Sequence, residues 1–314
     1  MTQIGDKALS SSAGLKGGGL AVLSAALHAG VPVAGAYAQQ EMDTLTFGFL
    51  WVGLIALYTW IYFTLRWRWG AVADAVKAHW CSLLLMGLLQ AVGVWTFFYG
   101  LRFIDPTEAA FFGRASAVFS VILGVIFLRE RFTLAEIAGI LLAVGGAAVI
   151  THKGGRPVLI GLAGVVTSCL CFALFTLVAK IKAHAVGPFV LVSASTTFSA
   201  VLLGVYGLAF GGLDFEASAS RHAALAAACF SGGFLGIGAF YASFKYIRFS
   251  IASALRSAQA VFVALLAYFT LGTVPGLKSW VGGAIIIAGV TLLALGGRAA
   301  DGGGAAEAAG DGDG

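Results

Sequence analysis

Residues 99–150 read YGLRFIDPTEAAFFGRASAVFSVILGVIFLRERFTLAEIAGILLAVGGAAVI. Two apolar runs, near 107–128 and 135–151, flank the charged stretch Arg129-Glu130-Arg131. Each approaches the roughly 20 residues a helix needs to cross the hydrocarbon of a bilayer. Neither alternates with period two over about ten residues, as a membrane-barrel strand would. The stretch reads as two membrane helices joined by a short charged turn.

Outward from it the chain keeps the same character. Of 314 residues, 60% are hydrophobic and only 11% charged, and the mean hydropathy is +0.95. A soluble domain carries roughly 25% charged residues, and a soluble fold of this length could not hide so much apolar surface. A cytosolic enzyme, a nucleic-acid binder and a disordered chain are excluded. Ten runs have spanning length, near 18–38, 45–65, 79–100, 107–128, 135–151, 158–179, 188–210, 222–244, 250–271 and 279–297. The expected fold class is an all-α membrane protein with ten transmembrane helices. Residues 1–17 form a short N-terminal segment. The tail 298–314 is Gly, Ala and Asp with nothing to bury, which reads as disorder.

Ala36-Tyr37-Ala38 follows an apolar run preceded by Lys7 and Lys16, like a signal-peptide cleavage site. That run is about 20 residues, longer than the usual signal core, so it is read as a retained first helix. The four cysteines, Cys81, Cys169, Cys171 and Cys229, fall in apolar runs and are expected to be buried structural thiols.

The net charge of +5 comes from 19 Lys+Arg against 14 Asp+Glu. In a membrane protein such an excess sets orientation, because basic residues stay on the cytoplasmic side. With both termini inside, twelve basic residues (Lys7, Lys16, Arg66, Arg68, Lys77, Arg129, Arg131, Lys180, Lys182, Lys245, Arg248 and Arg298) fall inside and five outside. The outer five are Arg102, Lys153, Arg156, Arg221 and Lys278, and the loop 151–157 runs against the rule.

Slid on itself by 143 positions, the chain aligns 97–150 with 240–293 without gaps, and twelve of the 54 pairs are identical. Among them are Phe97/Phe240, Ala117/Ala260, Gly139/Gly282 and Gly146/Gly289. Self-similarity at a fixed offset marks a duplicated unit. Because each half holds five spans, an odd number, the second half enters the membrane upside down. The expected repeats are 18–151 and 158–297, inverted, an arrangement common in secondary transporters. Small residues at four-residue spacing, as in Ser116/Ser120/Gly124, Gly139/Ala143/Ala147 and Gly232/Gly236, are read as helix-packing faces.

Tyr99–Ile150 resembles the EamA-type branch of the drug/metabolite transporter superfamily: the end of the third helix, the whole fourth, the pair Glu130-Arg131 and the glycine-bearing fifth. The second copy, 242–293, departs from the pattern with Thr273-Val274-Pro275 in place of the pair. The resemblance implies ten helices, a bacterial inner-membrane location, and carriage of small metabolites such as amino acids.

An ionisable group at span depth is a functional candidate by default. Arg114 lies about 10 Å into its helix and Arg256 about 9 Å into its own; either could instead snorkel to a headgroup. Their spacing of 142 is one short of the repeat offset, so they do not occupy equivalent faces. His28, Gln90, Ser116 and Gln259 are mid-span and need polar partners. Trp95, Tyr99 and Tyr241 could line a pocket or belong to an aromatic belt. These nine are the substrate-binding candidates. No mid-span Asp or Glu, no H-E-x-x-H, no G-x-S-x-G and no phosphate loop occur. No enzyme activity, catalytic residue, metal or cofactor is expected.

The reading is a secondary transporter of a small metabolite, with an amino acid or related small carboxylate favoured and export as the direction, working by alternating access. A membrane scaffold or receptor is the alternative, and a membrane-embedded enzyme ranks behind it. The expected partners are the substrate and the lipid bilayer, with a homodimer left open and no nucleic acid. A reporter fused after Arg298 is expected to behave as cytoplasmic. A periplasmic signal from that fusion would overturn the orientation.

Overall fold

The computed structural model describes residues 12–66, 69–128, 134–151, 155–182, 188–210, 212–243, 246, 255–256, 258–272 and 275–292. Most of 1–17, the tail 298–314 and the charged turn at Arg129–Arg131 lie outside them. Among the described residues all regular structure is helical. The helices are α1 (Ser12–Ala38), α2 (Thr44–Leu65), α3 (Trp69–Gly100), α4 (Pro106–Phe112), α5 (Ala115–Leu128), α6 (Leu134–Thr151), α7 (Gly155–Lys182) and α8 (Pro188–Phe210). A ninth rod follows in three pieces: α9 (Ala219–Ala228), a π-helical segment Cys229–Gly236, and α10 (Ile237–Ser243). The last two are α11 (Gln259–Leu271) and α12 (Leu277–Leu292).

Local chemistry sets several of the ends. Asp43 caps α2 by accepting a hydrogen bond from Thr46 N at 2.7 Å, which satisfies an otherwise orphaned donor. Pro106 opens α4, where its missing N–H costs nothing. Gly272 closes α11 at φ +66°, a left-handed conformation that favours glycine.

Among the described residues, six helical stretches are long and apolar enough to cross a membrane, within 14–38, 44–65, 72–100, 156–179, 189–210 and 219–240. The surface is strongly apolar: Leu208, Phe210, Phe269 and Leu277 are each at least three-quarters exposed. Side chains such as Ser24, Thr46, Ser168, Thr196 and Gln259 are instead buried. That inversion suits a protein whose solvent is lipid. The chain is a multi-pass membrane protein.

Three expectations need correcting. The run 107–128 is not one helix, because α4 stops at Phe112 and α5 starts at Ala115. The third helix begins ten residues early, at Trp69, and kinks at His79. Cys81, just past that kink, is exposed on the outer face, whereas Cys169, Cys171 and Cys229 are buried as expected.

α1 is central. It packs on the π segment, α9, α10 and α11, while α3 packs on α7 and α8, and α2 on α8. Ala21, Ser24, Ala25 and Ala29 of α1 are fully buried. The main core gathers Phe47, Val52, Phe98, Phe111 and Phe112 around it. A second cluster, with Phe63, Leu83, Met86 and Leu191, fills the other end of α2, α3 and α8.

Where α1 ends, a polar clasp ties it to α9. Arg221 donates to Glu41 Oε1 at 3.0 Å and to Tyr37 O at 2.8 Å, with its guanidinium 3.6 Å from the centre of the Tyr37 ring. Ser218 N donates to Glu41 Oε2 at 2.9 Å. Hydrogen bonds from Ser218 and then Arg221 hold the Glu41 carboxyl down at about 2. A depressed carboxyl contributes its stability above the ordinary range and loses it as pH falls toward that value, so the clasp survives mild acid.

Two glycine contacts bring helix backbones together. A Cβ at Gly232 would sit 2.6 Å from Val31 Cγ2 and 3.1 Å from His28 Cα, so the π segment lies against α1 backbone. On the far side, a Cβ at Gly146 would sit 2.6 Å from Gly282 O, and one at Gly289 would sit 2.6 Å from Gly139 O. Gly232→Leu and Gly289→Leu are each expected to lower folded, monodisperse yield, since overpacking costs about 1–3 kcal/mol or more where backbone must move. Gly145→Ala, with nothing within 4 Å, is the control. Unchanged yield for both leucine variants would show that these faces do not carry the packing.

Candidate functional site at two helix breaks

The break between α4 and α5 has a local cause. At Gly113 and Arg114 the ladder tightens: Arg114 N donates to Phe111 O at 3.0 Å and Ser116 N to Gly113 O at 3.4 Å, both three residues back. Tightening frees carbonyls that lipid cannot satisfy. Cys169 of α7 points its thiol at Phe112 O (3.5 Å) and Gly113 O (3.7 Å), and Ser116 Oγ donates to Gly113 O at 3.0 Å. Arg114 therefore sits in the break itself.

The start of α11 faces it. Gln259 is the first residue of that helix and only 5% exposed. Its Oε1 accepts from Arg114 Nη2 at 2.5 Å, and its Nε2 donates to His28 O at 3.4 Å. His28 Nδ1 lies 3.1 Å from Gly232 O, and Ser24 Oγ donates to Gly236 O at 2.7 Å. Both acceptor carbonyls belong to the π segment, where Gly232, Gly233 and Gly236 leave room for the wider turn. A π segment shifts the backbone pairing, and such segments are common at functional sites.

Arg256 joins the cluster from just before α11, with its guanidinium 4.6 Å from the centre of the buried Phe240 ring. Arg114, Arg256 and His28 lie within electrostatic range of one another. Among the described residues no carboxylate pairs with Arg114, its Nε has no hydrogen-bond partner, and no group of His, Cys, Asp or Glu could hold a metal. Such a site is cationic and rich in donors. It can hold an anionic or carbonyl-bearing ligand, and it has no carboxylate–histidine pairing for acid–base chemistry.

The structure thus brings together Arg114, Arg256, Gln259, His28 and Ser116. Gln90 is partly buried on α3, with Oε1 lacking a hydrogen bond, and no described contact ties it to the cluster. Trp95 and Tyr99 stack on each other at 5.7 Å on the exposed face of α3, 41% and 38% exposed, and continue to Phe103. The Tyr241 side chain lies outside the described residues. Sequence reading passed over Ser24, Cys169 and Phe240, because Ser, Cys and Phe are ordinary in apolar helices. A Gly-Arg pair inside an apolar run was the visible trace of the break.

Membrane-length helices closed around a polar, cationic cluster at interrupted helices describe a transporter rather than an enzyme. The EamA-like transporter family matches the chain twice, at residues 15–152 and 159–295, and the chain belongs to that family. A probable terminal-alkyne amino-acid exporter of Streptantibioticus cattleyicolor is 35% identical over 186 residues, 56% of this chain. The match spans 60% of that relative's length. A crystal structure of another protein covers 92% of this chain and 98% of its own, at TM-score 0.63 and 17% identity, a likeness of fold alone.

Cys169→Val is expected to remove the thiol's bonds to the Phe112 and Gly113 carbonyls, of which Gly113 keeps Ser116, and to lower thermal stability in detergent by about 1 kcal/mol. Cys169→Ser, which keeps a donor, should lose less. Equal losses would show that the thiol matters only by volume.

Proposed function

We propose that the protein is a secondary transporter that exports an amino acid or related small carboxylate across the bacterial inner membrane. Ten spans, counting α4 with α5 and α9 with α10, form two inverted repeats, 18–151 and 158–297, with both termini cytoplasmic. The repeats exchange access to the cluster around Arg114 and Gln259. The observation that carries this reading is the Arg114–Gln259 bond. It joins the two halves at the interruption of one helix and the beginning of another, where transporters of inverted-repeat design hold substrate.

Helix packing supports the inversion. With the offset of 143, Gly146 pairs with Gly289 and Gly139 with Gly282. The close approaches are crosswise, Gly146 to Gly282 and Gly289 to Gly139. Contacts of the form i to j′ and j to i′ are the mark of a twofold axis. In the same way, α1 packs on α11 while its counterpart α7 packs on α5.

The cluster supports the substrate class. A guanidinium suits a carboxylate, which it can bind through two parallel hydrogen bonds. Gln259 is placed to exchange its bond to Arg114 for one to the ligand's polar remainder. The name of the Streptantibioticus relative points the same way, to amino acids.

Propargylglycine, an amino acid with a terminal alkyne, is a suitable probe because its flux can be read by azide coupling. Wild-type proteoliposomes are expected to move it. Arg114→Ala should cut flux at least about tenfold, the value of one charge-assisted hydrogen bond, and Arg114→Lys should recover part. Normal flux in both Arg114→Ala and Arg256→Ala would remove the case for an anionic substrate group.

A further inference from the structure

α4 carries a carboxylate that the cluster does not use. Glu108 lies in the first turn of α4, six residues before Arg114, about 9 Å along a helix axis. Its Oε1 accepts a hydrogen bond from Ser279 Oγ at 2.7 Å. Ser279 belongs to α12 and is 5% exposed. The bond therefore crosses from the first half of the chain to the second. The same seam is sealed by apolar contact. The Phe111 ring fills the space beside Gly283 and meets the Trp280 ring edge-on at 6.3 Å.

Glu108 also faces open space. It lines a cavity of about 490 Å³ at the end of the bundle where α1 stops, with Gln40, Arg102, Asp105, Pro106, Val158 and Leu271 around it. A proton arriving from that side reaches the carboxylate without passing the arginine cluster. Among the described residues, the charged groups that line the cavity with Glu108 are Asp105 and Arg102 on its own stretch; Lys278, exposed on α12, is the chain neighbour of Ser279. α1 and the turn after it bring Ala36 and Gln40, while α7 and α11 bring Val158 and Leu271, none of which titrates.

The arrangement is one-sided. At the offset of 143, Glu108 corresponds to Ile251 and Ser279 to Glu136. The inverted counterpart of this contact would set Glu136 against Ile251, which has no hydrogen-bonding group. The sequence-related pair thus lacks one of the two groups that make the Glu108–Ser279 bond.

We propose that Glu108 is a proton-binding site that gates this mouth. As a carboxylate it holds Ser279 and keeps the α4·α12 seam shut. A proton from the cavity adds to a Glu108 oxygen, removes the charge that makes the Ser279 bond strong, and loosens the seam. α4 is only seven residues long and ends at the Gly113–Arg114 break, so its movement reaches the arginine cluster directly. The proposal rests on the transporter reading for its purpose, but the proton site is testable without any substrate.

The substrate-free arm uses spin labels at Arg102→Cys and Lys278→Cys in a Cys81→Ser background, with the protein in lipid nanodiscs. The label distance is expected to lengthen as pH is lowered from 8 to 5. That change should vanish in Glu108→Gln, and an infrared band of protonated carboxyl, present in wild type at low pH, should be lost with it. The transport arm varies the pH of the two compartments of propargylglycine-loaded proteoliposomes separately. Flux should change at least about fivefold with pH on one side only, as expected for a single site crossing its titration, and less than about 1.5-fold in Glu108→Gln. A pH-dependent distance that persists in Glu108→Gln, or an unchanged infrared band, overturns the proposal. A wild type that moves no propargylglycine but shows both substrate-free changes upholds the proton site and counts against the substrate reading instead.

Discussion

A guanidinium enclosed among apolar helices has to be held by something polar, and Arg114 is held by an amide. That choice governs the rest of the structure. A carboxylate partner would have neutralised the arginine and closed the site. Gln259 accepts the hydrogen bond and leaves the charge in place, so attraction for an anion remains. Keeping a charge in so poor a solvent is costly unless its donors are used. The surroundings reflect that cost: Arg114 sits in a helix break, Gln259 opens another helix, and Gln259 in turn leans on the His28 carbonyl.

Each interruption of regular helix then creates a debt of its own, met by a neighbour. The carbonyls at Phe112 and Gly113 are met by Cys169 and Ser116. Those at Gly232 and Gly236 are met by His28 and Ser24 of α1. The second pairing is available because Gly232 has no side chain to hold α1 away. Packing and polar satisfaction are therefore one problem here: the glycine face brings the backbones close, and closeness lets short polar side chains reach across.

Much of this was legible in the sequence. Run 45–65 foresaw α2 closely and run 18–38 foresaw the end of α1, which starts six residues earlier at Ser12, because long apolar stretches have few other readings. The small-residue face at Gly232 and Gly236 was visible as spacing. Arg114, Arg256, Gln259 and His28 stood out because each is expensive in lipid. What stayed hidden was finer than hydropathy can resolve. The break at Gly113–Arg114 contains no proline, and an average over some twenty residues passes across it. The π segment adds part of a turn without altering composition. Trp95 and Tyr99 could not be assigned a side, because an aromatic residue reads the same whether it faces a pocket or lipid. Cys81 escaped for a similar reason, since its position depends on a kink at His79.

The crosswise glycine contact between α6 and α12 has a mechanical meaning. In the rocking motion proposed for the two halves, contacts near the axis that relates them would move least and the extremities most. At Gly146 and Gly289 backbone meets backbone, at Gly282 O and Gly139 O, with the Ile286 and Leu142 side chains packed alongside. Under that proposal the two helices would turn against each other like scissor blades about a rivet, and the rivet is made by leaving atoms out.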